Sequence, residues 1–98
     1  MLVVTSAGNA GGSSWDKLTF PADADSILTV GSVTQYGVAS SFSSRGYTVD
    51  GRVKPNVCAR GEGAVVYRSD GTLAYANGTS FSSPIMAGAA ACLWSTVP

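Results

Sequence analysis

Two short stretches of this chain carry residue types suited to acyl chemistry. The first is Asn77-Gly78-Thr79-Ser80-Phe81-Ser82-Ser83-Pro84-Ile85-Met86-Ala87-Gly88, which runs on into Ala89-Ala90-Ala91-Cys92-Leu93-Trp94. A small Gly-Thr pair delivers Ser80 to a run whose apolar residues recur at helical spacing, so Ser80 is expected at or near a helix N-terminus. Orphan amides and the positive end of the helix dipole stabilise negative charge there, which attack of a hydroxyl on an acyl carbon requires. On spacing alone, Ser80 could equally be a plain N-cap. Pro84 is expected in the first helical turn, where its missing N–H costs nothing. The second stretch is Ser6-Ala7-Gly8-Asn9, directly after the apolar run Leu2-Val3-Val4-Thr5. Asn9 offers a side-chain amide, though an asparagine beside glycine is also a common turn residue. Gly8, Gly11 and Gly12 could suggest a phosphate-cradling loop, but no Gly-Lys-Ser/Thr follows. The chain has no histidine, so it lacks the imidazole that a Ser-His-Asp mechanism needs.

The elements that must position these residues follow from pattern. Leu2–Thr5 reads as a parallel strand buried on both faces. In open α/β sheets ligands bind beyond the carboxyl ends of strands, where Ser6–Asn9 falls. A loop from Gly12 to Phe20 carries Trp15 as a partly buried cover. Ile27–Val33 reads as a second buried strand, residues 35–44 as a serine-rich passage anchored by Phe42, and residues 47–52 as an exposed turn around Asp50-Gly51. Val53–Ala59 is the expected third strand. Gly63–Tyr67 and Thr72–Ala76, joined by Ser69-Asp70-Gly71, form a hairpin by alternation and turn chemistry, and that hairpin leads straight to Ser80. Asn77-Gly78-Thr79 also satisfies the glycosylation sequon, which at such a turn reads as coincidence.

Composition narrows the functional class. The chain has 98 residues, no net charge, 45% hydrophobic residues and 12% charged ones, which describes one apolar, ordered domain. No basic run provides the electrostatic footprint of a nucleic-acid binder. No apolar stretch approaches the length that spans a bilayer. Cys58 and Cys92 read as two buried thiols, on a strand and on the helix, rather than as a disulfide framework. Because a strand pattern follows Met1 at once, the chain is expected to be a piece of a longer protein.

The run Gly78-Thr79-Ser80-Phe81-Ser82-Ser83-Pro84 with Ala87-Gly88 resembles the active-serine motif of subtilisin-like serine proteases. Thr5-Ser6-Ala7-Gly8-Asn9-Ala10-Gly11 is similar to the family segment that carries the oxyanion-hole asparagine, and Asp25–Val33 to the strand that follows it. Ser41-Phe42-Ser43-Ser44-Arg45-Gly46 and Lys54-Pro55-Asn56-Val57-Cys58-Ala59-Arg60-Gly61 resemble two further segments, in the family's order. The resemblance implies an α/β fold: the C-terminal half of a three-layer subtilisin-like domain, with parallel strands, a β-hairpin and a central serine-bearing helix, spanning 1–98. It implies Ser80 as nucleophile and Asn9 as oxyanion donor. Ser6, Ala7 and Gly8 would line the pocket for the residue before the scissile bond, with Gly78 and Thr79 also at the substrate. It further implies a cis bond before Pro21 and, as in some relatives, a weak cation site at the carbonyls of Ala22, Ala24 and Ile27. Asp23 and Asp25 read as solvated loop carboxylates. No cofactor is required, although a structural Ca²⁺ belongs to some whole enzymes.

In this family the triad order is Asp, His, Ser, so the two other members would lie upstream and the isolated chain should be inactive. Arg60 stands where the family usually has proline, Phe81 where it usually has methionine, and Ile85 where many members have histidine. The expected partners are protein or peptide substrates, with a secreted or cell-envelope setting. Two other readings compete: a catalytically dead binding module, and an α/β-hydrolase esterase, since Gly78-Thr79-Ser80-Phe81-Ser82 is one residue short of Gly-x-Ser-x-Gly. An open edge strand and an incompletely covered helix predict a homo-oligomer for the isolated chain.

Overall fold

A computed structural model describes residues 1–12, 17–18, 20–48 and 50–96; the expectation for Trp15 lies outside these. In chain order the elements are β1 (Val4–Ser6), β2 (Leu28–Val33), β3 (Gly46–Tyr47), β4 (Val53–Lys54), β5 (Val57–Arg60), β6 (Ala64–Tyr67), β7 (Leu73–Ala76) and α1 (Thr79–Ser95). Strands β1, β2 and β5 form a parallel sheet with β2 in the middle; Val4 lies opposite Leu28, and Val30 opposite Val57. Helix α1 packs across all three of these strands. The result is a mixed α/β architecture, as expected.

The central strand is buried from Thr29 to Ser32, as a parallel strand covered on both faces should be. For β1 the expectation of full burial is corrected. Leu2 and Val3 are each 42% exposed because β1 is an edge of the described sheet, with no described strand against its outer side. The expected third strand is also corrected. It breaks at a cis Lys54–Pro55 bond, since proline has no N–H for a ladder. Residues before the break pair antiparallel with β3, and those after it join the parallel sheet. The Phe20–Pro21 bond is cis, as the resemblance implied.

Apolar burial is modest. Ala7, Leu18 and Ala22 cluster, with Val30 and Ala59 also buried. Much of the remaining interior is hydroxyl-bearing: Thr29, Ser32, Ser40, Ser43 and Ser44 are all buried. Such groups need partners, and they have them. Ser32 Oγ and Ser40 Oγ lie 2.8 Å apart, the Ser32 N–H donates to Ser43 Oγ at 3.0 Å, and the Ala10 N–H donates to Ser44 Oγ at 2.8 Å. This network ties the serine-rich passage to the sheet, with Phe42 half-buried beside it.

Both cysteines are free and exposed, not buried. In β5 the buried position is Ala59, so alternation turns its neighbour Cys58 to the other face. Cys92 lies on α1, of which only Thr79 and Ser82 are buried. Ile85, Leu93 and Trp94 are more than half exposed, so most of the helix's apolar surface is uncovered.

The hairpin forms as predicted, with Val65 opposite Tyr75. Its turn closes with the Gly71 N–H on the Arg68 carbonyl at 2.9 Å, and Gly71 takes the left-handed backbone (φ 87°) that favours glycine. Asp70 accepts hydrogen bonds from the Thr72 hydroxyl and N–H, which hold its carboxyl below the ordinary value. At the 47–52 turn, Asp50 is bound by the Thr48 hydroxyl and by Arg52, and its carboxyl is likewise lowered.

Candidate active site

Three segments far apart in sequence meet where α1 begins. The first is the exit of β5. The N–H of Gly61 donates to the Val33 carbonyl at 3.2 Å, and its own carbonyl accepts from the Gly78 N–H at 2.7 Å. A side chain at Gly61 would have its Cβ 2.5 Å from the Gly78 carbonyl oxygen, 2.2 Å from Ser82 Oγ and 2.6 Å from Ser32 Oγ. Only a residue without a Cβ lets the helix start come this close.

The second segment is the hairpin. Asn77 Oδ1 accepts from the Gly63 N–H at 2.8 Å, joining the two ends of the hairpin. Arg60, where the family usually has proline, donates from Nε to the Glu62 carbonyl (3.2 Å) and from Nη2 to the Gly63 carbonyl (3.0 Å). The departure therefore braces the local turn with a side chain. The third segment is the loop after β1. Asn9 Oδ1 accepts two hydrogen bonds from Thr79, one from the backbone N–H and one from the hydroxyl, both at 2.9 Å. The Thr79 hydroxyl in turn accepts from the Gly8 N–H at 3.2 Å. Thr79 is 1% exposed, so water does not compete for this lock.

With its oxygen doubly held, the Asn9 side chain can only present Nδ2 outward. That nitrogen lies 3.7 Å from where a Cβ on Gly78 would stand, next to the residue that opens the helix. Among the first helical amides, Thr79 N–H is spent on Asn9 and Phe81 N–H on the Gly78 carbonyl at 3.1 Å. The Ser80 N–H has no partner among the described residues. Ser80 and Asn9 are both exposed. The arrangement is an exposed hydroxyl at the positive end of a helix, with the Ser80 N–H and, beside Gly78, the Asn9 Nδ2 both without an acceptor among the described residues, a setting that favours negative charge.

Ser80 lies in the first turn of α1, at the N-terminus as expected, and the alternative of a plain N-cap falls: Gly78 holds that place, with no side-chain cap hydrogen bond, so the serine hydroxyl is not consumed in capping. One expectation about the helix start is corrected. Pro84 lies inside the helix, beyond the first turn. By the i→i−4 pattern, its missing N–H would have served the Ser80 carbonyl.

The structure brings together Gly8, Asn9, Gly78, Thr79 and Ser80. Ser6 ends β1, half-buried, and Ala7 is fully buried against the Val30 carbonyl, which accepts from its N–H at 2.9 Å. Ala22, Ala24 and Ile27 belong to a separate loop. Phe81 lines a cavity of about 270 Å³ with Pro84, Ile85, Val65 and Val66, on the hairpin side of the nucleophile candidate. Another, of about 660 Å³, is lined by Tyr36, Arg60, Glu62 and Tyr75 and reaches neither Ser80 nor Asn9. A nucleophile elbow would need Ser80 to follow a strand of the main sheet; it follows the hairpin strand β7 instead, which removes the esterase reading. Sequence reasoning missed the packing role of Gly61, the brace of Asn77 and Arg60, and Ser82, whose buried hydroxyl has no partner among the described residues. Asn77 had been visible only as a sequon.

The subtilase family model matches residues 1–98. Subtilisin DY of Bacillus licheniformis is 37% identical over 99 aligned residues, covering 100% of this chain and 34% of that protein. A thermophilic serine proteinase of Bacillus sp. (strain AK1) is 41% identical over 93 aligned residues, covering 94% of the chain and 21% of that protein. Among solved structures, the self-cleaved protease domain of PatA superposes with a TM-score of 0.79 at 34% identity, over 95% of this chain and 33% of that one. The chain thus spans about a third or less of the length of these relatives.

Proposed function

This chain belongs to the subtilase family, and we propose that it is the nucleophile-bearing part of a serine endopeptidase, acting on protein or peptide substrates in a secreted or cell-envelope setting. Ser80 Oγ attacks the scissile carbonyl and forms an acyl-enzyme, releasing the amine half. Water then hydrolyses the ester and regenerates the serine. Asn9 Nδ2 and the Ser80 N–H hold the oxyanion of each tetrahedral intermediate. The general base and its orienting carboxylate come from outside these 98 residues, since the sequence contains no histidine. Gly8 borders the substrate beside the serine, while the buried Ala7, Gly78 and Thr79 support that wall from behind.

The observation that carries the reading is the lock of Asn9 Oδ1 by Thr79. It holds the amide oxygen on Thr79, so that the nitrogen is left to donate beside Gly78, where the helix begins. In subtilisin itself, losing the oxyanion asparagine lowers kcat by about 10²–10³; that magnitude belongs to the family and is not worked out from this chain. Among the described residues, no helix is long and apolar enough to cross a membrane.

The test is fluorophosphonate labelling followed by mass spectrometry, on the 98-residue chain and on the whole peptidase containing it. Labelling of the whole protein at Ser80, abolished by Ser80→Ala, weakened by Asn9→Ala and missing from the isolated chain, is the expected result. A folded, propeptide-free whole protein that takes no label would instead be a pseudoprotease used for binding.

A further inference from the structure

In the loop that the resemblance marks as a weak cation site, two of the three named carbonyls, those of Ala22 and Ile27, already accept hydrogen bonds, as does the carbonyl of Asp23 between them. The Ala22 carbonyl accepts from Thr29 Oγ1 at 2.8 Å, the Asp23 carbonyl from Arg52 Nη2 at 2.8 Å, and the Ile27 carbonyl from Lys54 Nζ at 3.1 Å. Lys54 Nζ also donates to Asn56 Oδ1 at 2.9 Å, and that oxygen accepts from the Thr29 N–H at 2.9 Å as well. Lys54 is 6% exposed, so its ammonium sits within the packed loop and not over it. Arg52 and Lys54 flank Val53, which is 67% exposed. Alternation along extended chain turns the two basic residues to the same side, toward residues 22–27.

A calcium ion needs six to eight oxygen ligands, carboxylates foremost, and this loop does not offer them. The aspartates of the segment are solvated or already engaged: Asp23 is exposed, and the Asp25 side chain, 85% exposed, lies 3.7 Å from Arg52 and accepts from the Ser26 N–H. No group of three His, Cys, Asp or Glu side chains gathers anywhere among the described residues. A divalent cation on the Ile27 carbonyl and Asn56 Oδ1 would share those two ligands with an ammonium, at close like-charge range. The donor set does not fit the metal.

We infer that Lys54 is an internal replacement for a bound metal: its ammonium, helped by Arg52, closes the 22–27 loop, which is therefore held independently of divalent cations. The clasp acts beyond the loop. Asn56 Oδ1 joins Lys54 to the N–H of Thr29 in β2, and the Asn56 N–H returns to the Thr29 carbonyl at 2.9 Å. The same contacts therefore set the spacing of β2 and β5. This inference stands apart from the proteolytic reading, because it concerns none of the proposed catalytic groups.

The test is amide hydrogen exchange read by mass spectrometry on the full chain, in calcium chloride and in chelator, with the hairpin 64–76 as internal reference. Peptides over 21–27 should exchange at the same rate in both buffers. Lys54→Met, which keeps the apolar stem and removes the charge, should speed their exchange roughly tenfold or more relative to the hairpin, by loss of a charged hydrogen bond. Slowing of 21–27 by calcium in the unsubstituted chain overturns the inference, as does unchanged exchange in Lys54→Met. If that variant does not fold, the calcium and chelator comparison decides alone, since it needs no substitution.

Discussion

Replacing Gly61 by alanine should damage the fold through a single added methyl group. The added Cβ would stand 2.5 Å from the backbone oxygen of Gly78, whereas ordinary contact begins at 3.4 Å. The helix start must therefore recede by about 0.9 Å. It cannot recede freely, because the Gly78 N–H is bonded to the Gly61 carbonyl at 2.7 Å. Overpacking of this kind costs about 1–3 kcal/mol, and loss of the hydrogen bond adds about 1 kcal/mol. The sum, about 2–4 kcal/mol, is a large part of a small domain's stability and lowers Tm on the order of 10–25 °C. The sign is diagnostic. Gly61 is not among the residues with positive φ, so if space were available alanine would stabilise by about 0.4–1 kcal/mol through the unfolded chain. Urea unfolding of Gly61→Ala, Ser82→Ala and the double variant measures this. The double variant should recover part of the loss, because one of the three clashing oxygens is gone. A Gly61→Ala midpoint at or above that of the parent refutes the reasoning.

Gly88, exposed within α1 with no atom within 4 Å of an added Cβ, should behave in the opposite way: Gly88→Ala gains about 1 kcal/mol of helix propensity, read from the same urea curves. Thr79→Val removes the hydroxyl shared by Gly8 and Asn9 and should cost about 1–3 kcal/mol, together with slower fluorophosphonate labelling of Ser80 in the whole peptidase; Thr79→Ser should restore most of both. Asp70 and Asp50 have carboxyls lowered from 3.8 by their threonine partners. Their contribution is therefore complete above that value and is lost as pH falls through the lower folded values, so acid titration followed by NMR should loosen the two turns before the sheet. The isolated chain should self-associate through the uncovered face of α1 or the edge of β1; a strictly monomeric mass in concentrated light scattering counts against this.

The hairpin, the helix and the middle strand were legible because each is specified locally. Ser69-Asp70-Gly71 dictates a turn whatever packs on it, and Leu28–Val33 reads as buried because β2 has neighbours on both sides. Where the reading went wrong, the deciding partner was distant. The apolar run Leu2–Thr5 signals burial, but its exposure depends on what lies beside β1. Cys58 and Cys92 were expected inside because thiols often are, yet a two-residue alternation and an uncovered helix face decided otherwise. Gly61 stood in a segment that resembles the family, but nothing local showed its packing role, which depends on Gly78 and Ser82, about twenty residues downstream. The candidate site was legible in its residues, from the Gly-Thr-Ser and Gly-Asn motifs. The Asn9–Thr79 lock spans 70 positions and no local pattern encodes it.

In the proposed protease, that lock would also divide the labour of catalysis. Oxyanion stabilisation depends on donors that need no reorganisation when charge develops, and on the proposed reading Asn9 Nδ2 and the Ser80 N–H would be such a pair, held through a buried threonine, a glycine contact and a hairpin brace. Its strength also grows as water is excluded, because hydrogen bonds to charge weaken in a high dielectric. Here Ser80 and Asn9 are exposed. On that reading the orientation of the donors would reside in these residues, while their desolvation and the proton transfer would come from surfaces packed over the serine. Covering the site without adding a base should therefore tighten binding of an uncharged tetrahedral mimic less than that of an anionic one. The anion alone draws its affinity from the two donors.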